Sequence, residues 1–110
     1  MRTFSLCSVG DGELEQQLAS LVAQDRVTTA TLLAHIAEFD ARRLYLPAAY
    51  PSMHAYCVGE FKLSEDVAYK RITAARLARR FPEIFEALAE GQMSITALLM
   101  LRPLPHARER

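Results

Sequence analysis

The sequence predicts an all-α chain: a long N-terminal helix, or a helix pair, followed by a helix-turn-helix and two short helices. Three observations predict it. Between Gly12 and Pro47 neither proline nor glycine interrupts a run whose apolar residues recur at spacings of three and four. Ser52, Ser64 and Ser94 each stand just before a helical apolar pattern, where a serine hydroxyl accepts from a free first-turn amide. No β-strand candidate stands out anywhere in the chain.

Taken in order, residues 1–10 look disordered or loosely ordered. Their apolar members, Phe4, Leu6, Cys7 and Val9, are too few for a signal-peptide core. A helical pattern begins at Asp11 or Gly12 with Leu14, Leu18, Leu21 and Val22. It continues through Val27, Leu32, Leu33, Ile36, Ala37 and Phe39 to about Arg43. One helix of that length spans about 45 Å. The β-branched run from Val27 to Thr29 is the expected place for a break or kink. Such a helix cannot bury its whole apolar stripe against the short helices that follow, so part of it is expected to meet a partner copy or chain lying elsewhere. The alternative is two antiparallel helices.

Pro47 and Pro51 make residues 45–51 a connector, since each disfavours helix in itself and in the residue before it. Ser52 caps a short helix that Gly59 is expected to close. Ser64, followed by Glu65 and Asp66, caps a longer one reaching Arg80. Pro82 starts a further helix with Ile84, Phe85 and Leu88 on its inner face and Gly91 at its end. Ser94 caps the last helix, which Pro103 and Pro105 stop; its Leu98 and Leu101 have no following element to cover them. The domain is thus expected over residues 11–102, with the helix-turn-helix at 52–80 and a tail at 103–110.

Composition excludes several classes. The 110 residues suffice for one domain with a modest core, not for a catalytic and a binding domain together. Thirteen basic and thirteen acidic residues cancel. The distribution is uneven: residues 62–80 carry Lys62, Lys70, Arg71, Arg76, Arg79 and Arg80 against Glu65 and Asp66, while residues 1–40 are acidic. Two cysteines outside any CxxC point to a reduced, cytoplasmic chain, and three distant histidines make metal binding unexpected. No run approaches a membrane span.

A search for chemistry finds no GxGxxG, P-loop, HExxH or GxSxG. The carboxylate pairs Glu38 with Asp40 and Glu83 with Glu86 read as solvated helix faces. His35 is expected to be packed and hydrogen-bonded, and His54 exposed. Ser64 and Ser94 serve as caps before they serve as nucleophiles.

The helix-turn-helix is the informative stretch. At about 100° per residue, Tyr69, Thr73, Arg76 and Arg80 form one polar stripe, with Ala68, Ile72 and Ala75 opposite. A capped helix with an exposed aromatic, a hydroxyl and arginines suits a major-groove reader, although arginines at a helix C-terminus also complement the macrodipole without any ligand. Arg71 falls on the side that should be buried, so it is expected to pair or to snorkel.

The pieces AHIAEFDARRLYL, SMHAYCV, LSEDVAYKRI and ARRFPEIFEALAEGQMS, within Leu32 to Leu101, resemble the helical N-terminal region of bacterial HNH-endonuclease-type proteins. More loosely, LSEDVAYKRI followed by FPEIFEALAEGQMSITALLML is similar to the helix-turn-helix part of chromosome-partition DNA-binding proteins. The first resemblance implies a DNA-associated role with catalysis beyond the end of this chain. An HNH site needs an asparagine to orient its general-base histidine, and this sequence contains none. No catalytic residue or cofactor is transferred, and the chain reads as a truncated or split member, not an enzyme by itself.

The sequence therefore leads to a non-catalytic module that binds or positions double-stranded DNA. Lys70, Arg76 and Arg80 would contact phosphates or base edges, Tyr69 and Thr73 would add contacts on the same face, and Ser64 would hold the turn near backbone. The alternative is a protein-interaction or dimerisation scaffold built on the long helix, forming a homodimer without DNA contact.

Overall fold

The computed structural model describes residues 4–101; the expectations for residues 1–3, for the domain end at 102 and for the tail at 103–110 lie outside the described residues. Five helices follow in order: α1 (Asp11–Ala41), α2 (Met53–Phe61), α3 (Glu65–Arg80), α4 (Glu83–Ala89) and α5 (Ile95–Leu101). No strand occurs among the described residues.

Helix α1 is one unbroken element, not a pair. The break expected at Val27 to Thr29 does not occur. Each β-branched residue costs only a few tenths of a kcal/mol, and no proline or glycine stands in the interior to interrupt the ladder. The Thr31 hydroxyl also donates to the Val27 carbonyl at 2.8 Å, inside the helix. Its C-terminal half carries the core residues Ala30, Leu33, Ile36 and Ala37. From Asp11 to Gln24 every residue is exposed, and this part of α1, a little under half of it, projects as an overhang, while Asp25 and Arg26 lie beside the turn after α4, Arg26 against Gly91.

Helix α3 lies at the centre of the body and touches α1, α2, α4 and α5. Ala68, Ala74, Ala75 and Ala78 are wholly buried, and Ile72 nearly so. Alanines on the inner side let neighbouring backbones approach closely, and Leu33, Met53, Cys57, Leu88 and Leu98 fill the space between. The alanine side expected from the wheel is thus the buried side.

The caps form as expected: the Ser52, Ser64 and Ser94 hydroxyls accept from the amides of Ala55, Val67 and Ala97 at 3.0, 3.1 and 3.1 Å. Gly59 does not close α2, which continues to Phe61. The left-handed cap is Lys62 (φ 60°), whose ammonium returns to the Gly59 carbonyl at 3.1 Å and satisfies a C-terminal acceptor. Gly59 is small for another reason: a Cβ there would lie 2.7 Å from Tyr50 Cε1. That ring meets Tyr56 edge-on, Tyr56 stacks on Phe39, and this aromatic cluster ties the end of α1 to α2 across the connector. Gly91 (φ +79°) ends α4 as expected. Leu98, expected to lack cover, is buried at 2 % exposure because α5 folds back onto α3.

Candidate functional site

Two surfaces compete for function. The first is the outer face of α3. Tyr69, Thr73, Arg76 and Arg80 share one arc of it, as their spacing requires, with Tyr69 48 % exposed and Thr73 half-buried. Ser64 is occupied as the N-cap. The turn joining α2 to α3 is three residues long, Lys62 to Ser64, the length of a helix-turn-helix turn. One shallow groove beside Tyr69 is lined by Ser52, Met53, His54, Thr73 and Arg76. Another runs toward α5 past Lys70, Thr96 and Met100.

Charge on this face is largely compensated. Arg76 donates from Nε and Nη2 to the two carboxylate oxygens of Asp40, at 2.7 and 3.0 Å. Arg79 reaches Glu38 at 2.9 Å, and Lys70 reaches Asp66 at 3.0 Å. The hydrogen bond to Asp40 raises the Arg76 pKa further above its ordinary value, and the bonds from Arg79 and then Arg42 hold the Glu38 carboxyl below its own. Of the six cations between residues 62 and 80, Lys62, Arg71 and Arg80 lie outside these carboxylate pairs among the described residues. Arg80 rests over the Phe81 ring at 5.5 Å, and Arg71 is half-buried near Cys57.

The pair Glu38 and Asp40, expected as a solvated face, is instead the counter-charge of α3, and Asp40 keeps only 14 % of its side chain exposed. One signal could have found it. Both acids sit near the C-terminal end of α1, where the macrodipole disfavours anions and no base stands in the last turn, so external cations are called for.

The second surface is the overhang. Leu14, Leu18, Leu21 and Val22 stand 39, 62, 60 and 42 % exposed along one side of it. They are the apolar stripe read from the sequence, and no described element covers them. Farther along, His35 is exposed rather than packed, its Nδ1 bonding to the Thr31 carbonyl at 2.8 Å. His54, expected to be exposed, is half-buried and bridges α2 to the Glu65 carbonyl at 3.2 Å.

Among the described residues no group of three or more His, Cys, Asp or Glu is placed to hold a metal, and no helix is long and apolar enough to cross a membrane. Both cysteines are free; Cys7 is exposed, while burial pushes the Cys57 thiol up. Compared with family models, with curated proteins and with solved structures, the chain returns no match.

Proposed function

We propose that the chain is a non-catalytic helical scaffold that associates with a second copy of itself through the overhang of α1. The observation that carries this reading is the exposed row Leu14, Leu18, Leu21 and Val22 on a helix segment without tertiary cover. Helices of about 15 residues are marginal in water on their own, and a contiguous apolar stripe at spacings of four and three is the surface on which another helix packs. If the resemblance to HNH-endonuclease-type proteins holds, such a scaffold would position nucleases whose catalytic residues lie on other chain.

A second reading, duplex DNA contact by α3, draws support from the shared arc of Tyr69, Thr73, Arg76 and Arg80. It stands behind the first because Arg76 and Lys70 are already committed to carboxylates, which a phosphate would have to displace. Sedimentation and a duplex titration at two salt concentrations separate the readings. The scaffold predicts a mass that rises with concentration and no retained duplex at about 150 mM salt, near physiological ionic strength. A shifted duplex whose salt slope drops by about 2 units in an Arg76→Ala, Arg80→Ala variant would favour DNA. A monomer at every concentration removes the scaffold.

A further inference from the structure

We infer that the cleft between α1 and the turn joining α4 to α5 is a binding site for a small zwitterion with an apolar body, of the amino-acid class. The site is separate from the surface proposed above for self-association, and each stands or falls without the other. A cavity of about 530 Å³ lies here, within the roughly 300–1,000 Å³ of small-molecule sites. Its apolar lining is Leu88, 4 % exposed, with Met93 and Ile95 beside it. Its polar lining is Asp25, Arg26 and Thr29 from α1, faced by Thr96.

Gly91 sets the pose of Arg26. A Cβ at Gly91 would lie 2.6 Å from Nη1, 2.8 Å from Cζ and 3.0 Å from Nε of Arg26. Three bonded atoms at nearly one distance place that position over the face of the guanidinium, not at its edge. The glycine is needed for its backbone (φ +79°), and the same missing side chain lets the guanidinium lie flat on the turn. Its N–H groups radiate in its own plane, and a rim of that kind takes a carboxylate edge-on through two parallel bonds. No acid of the chain takes it. Asp25 and Arg26 enter no ion pair among the described residues, although they adjoin in sequence and line one cavity. Lys70, Arg42, Arg76 and Arg79, by contrast, are each matched to a carboxylate.

On a wheel at about 100° per residue Thr29 falls between Asp25 and Arg26, so α1 presents an anion, a hydroxyl and a cation within about 100°. A lone anion would gain Arg26 and be repelled by Asp25, and a lone cation would meet the reverse. A ligand with both charges on neighbouring atoms satisfies both, its carboxylate on Arg26 and its ammonium on Asp25. Leu88, Met93 and Ile95 then take its apolar side chain. Both charged residues are exposed, so solvent screens them, and half-saturation is expected on the order of 1 mM.

Nuclear magnetic resonance titration of the isotopically labelled full chain with L-leucine tests the site. The expected result is a saturable shift of the Arg26, Gly91 and Thr96 amides, with those of Leu14 and Leu18 unmoved. Isocaproate lacks the ammonium and isoamylamine lacks the carboxylate, so each should bind at least about 10-fold more weakly than L-leucine. Asp25→Asn and Arg26→Gln should each weaken L-leucine binding by at least about 10-fold, with circular dichroism unchanged because both side chains are exposed. Either analogue binding as tightly as L-leucine, or either variant keeping its affinity, would overturn the assignment. So would shifts that stay linear to about 20 mM, some twenty times the expected half-saturation. Linear shifts together with a lower unfolding temperature for Arg26→Gln would assign Arg26 to the C-terminal end of α4, which has no base in its last turn.

Discussion

Replacing Asp40 with alanine is expected to destabilise the fold by about 1.5 kcal/mol, most of it traceable to Arg76. The two groups form a bidentate pair with bonds of 2.7 and 3.0 Å. Charge-assisted bonds of this kind contribute about 1.5–3 kcal/mol when sheltered, against about 0.2–1 for exposed pairs. Asp40 is 14 % exposed and Arg76 59 %, so one partner is sheltered and the other is screened by solvent. A coupling near 1 kcal/mol follows, with the remainder of the Asp40→Ala effect coming from lost packing. For a chain of this size the melting temperature should fall by about 5–8 °C. The assay is a double-mutant cycle of Asp40→Ala, Arg76→Ala and the pair, by urea and thermal unfolding at low and high salt. A coupling below about 0.3 kcal/mol at low salt would refute the reasoning, since that is the level at which independent sites simply add. The same variants bear on function. Asp40→Asn frees the Arg76 guanidinium, so duplex affinity should rise if α3 contacts DNA and self-association should be unchanged if it does not.

Three further outcomes are expected. Gly59→Ala should be near neutral or destabilising in the native chain, where the new methyl meets Tyr50 at 2.7 Å, yet stabilising by about 0.8–1.0 kcal/mol in a Tyr50→Ala background; unfolding of the four variants checks the change of sign. Leu33→Ala, at a side chain with no exposure, should cost about 2–5 kcal/mol, whereas Leu21→Ala on the overhang should stay within about 0.5 kcal/mol at low protein concentration. Glu38 has its folded pKa lowered, so its ion pairs contribute stability that is fully present above the ordinary carboxyl value of 4.5 and is lost as pH falls through the lower folded value. Glu38→Gln should therefore flatten the stability profile on the acid side of that value, as read by denaturation between about pH 3 and pH 6, with the neutral limb keeping its slope.

Much of the architecture was legible because it depends on short-range chemistry. A serine three residues before an amide is a cap whatever the rest of the chain does, and the 3.6-residue period alone sorts Ala68, Ile72 and Ala75 from Tyr69, Thr73 and Arg76. The exposed leucines of the overhang were legible for the same reason: too few apolar positions follow to cover them all. Misreadings arose where a local signal was weak or had two causes. Val27 to Thr29 lowers helix propensity without breaking a hydrogen bond, so the helix continued. Gly59 could be a cap or a close approach, and only the position of the Tyr50 ring decides between them.

What the sequence determined by itself is an all-helical chain, its punctuation, and which side of each helix is apolar, since all of these arise within a few residues of one another. Only the tertiary structure decided that Asp40 meets Arg76 and Glu38 meets Arg79, pairs separated by 36 and 41 residues, and so that the basic row on α3 is largely neutralised. It also decided that Leu98 is covered while Leu18 is not. The physical reason is that charge pairing and burial depend on how helices are brought together in space, and periodicity along one helix carries no information about which neighbour it will face.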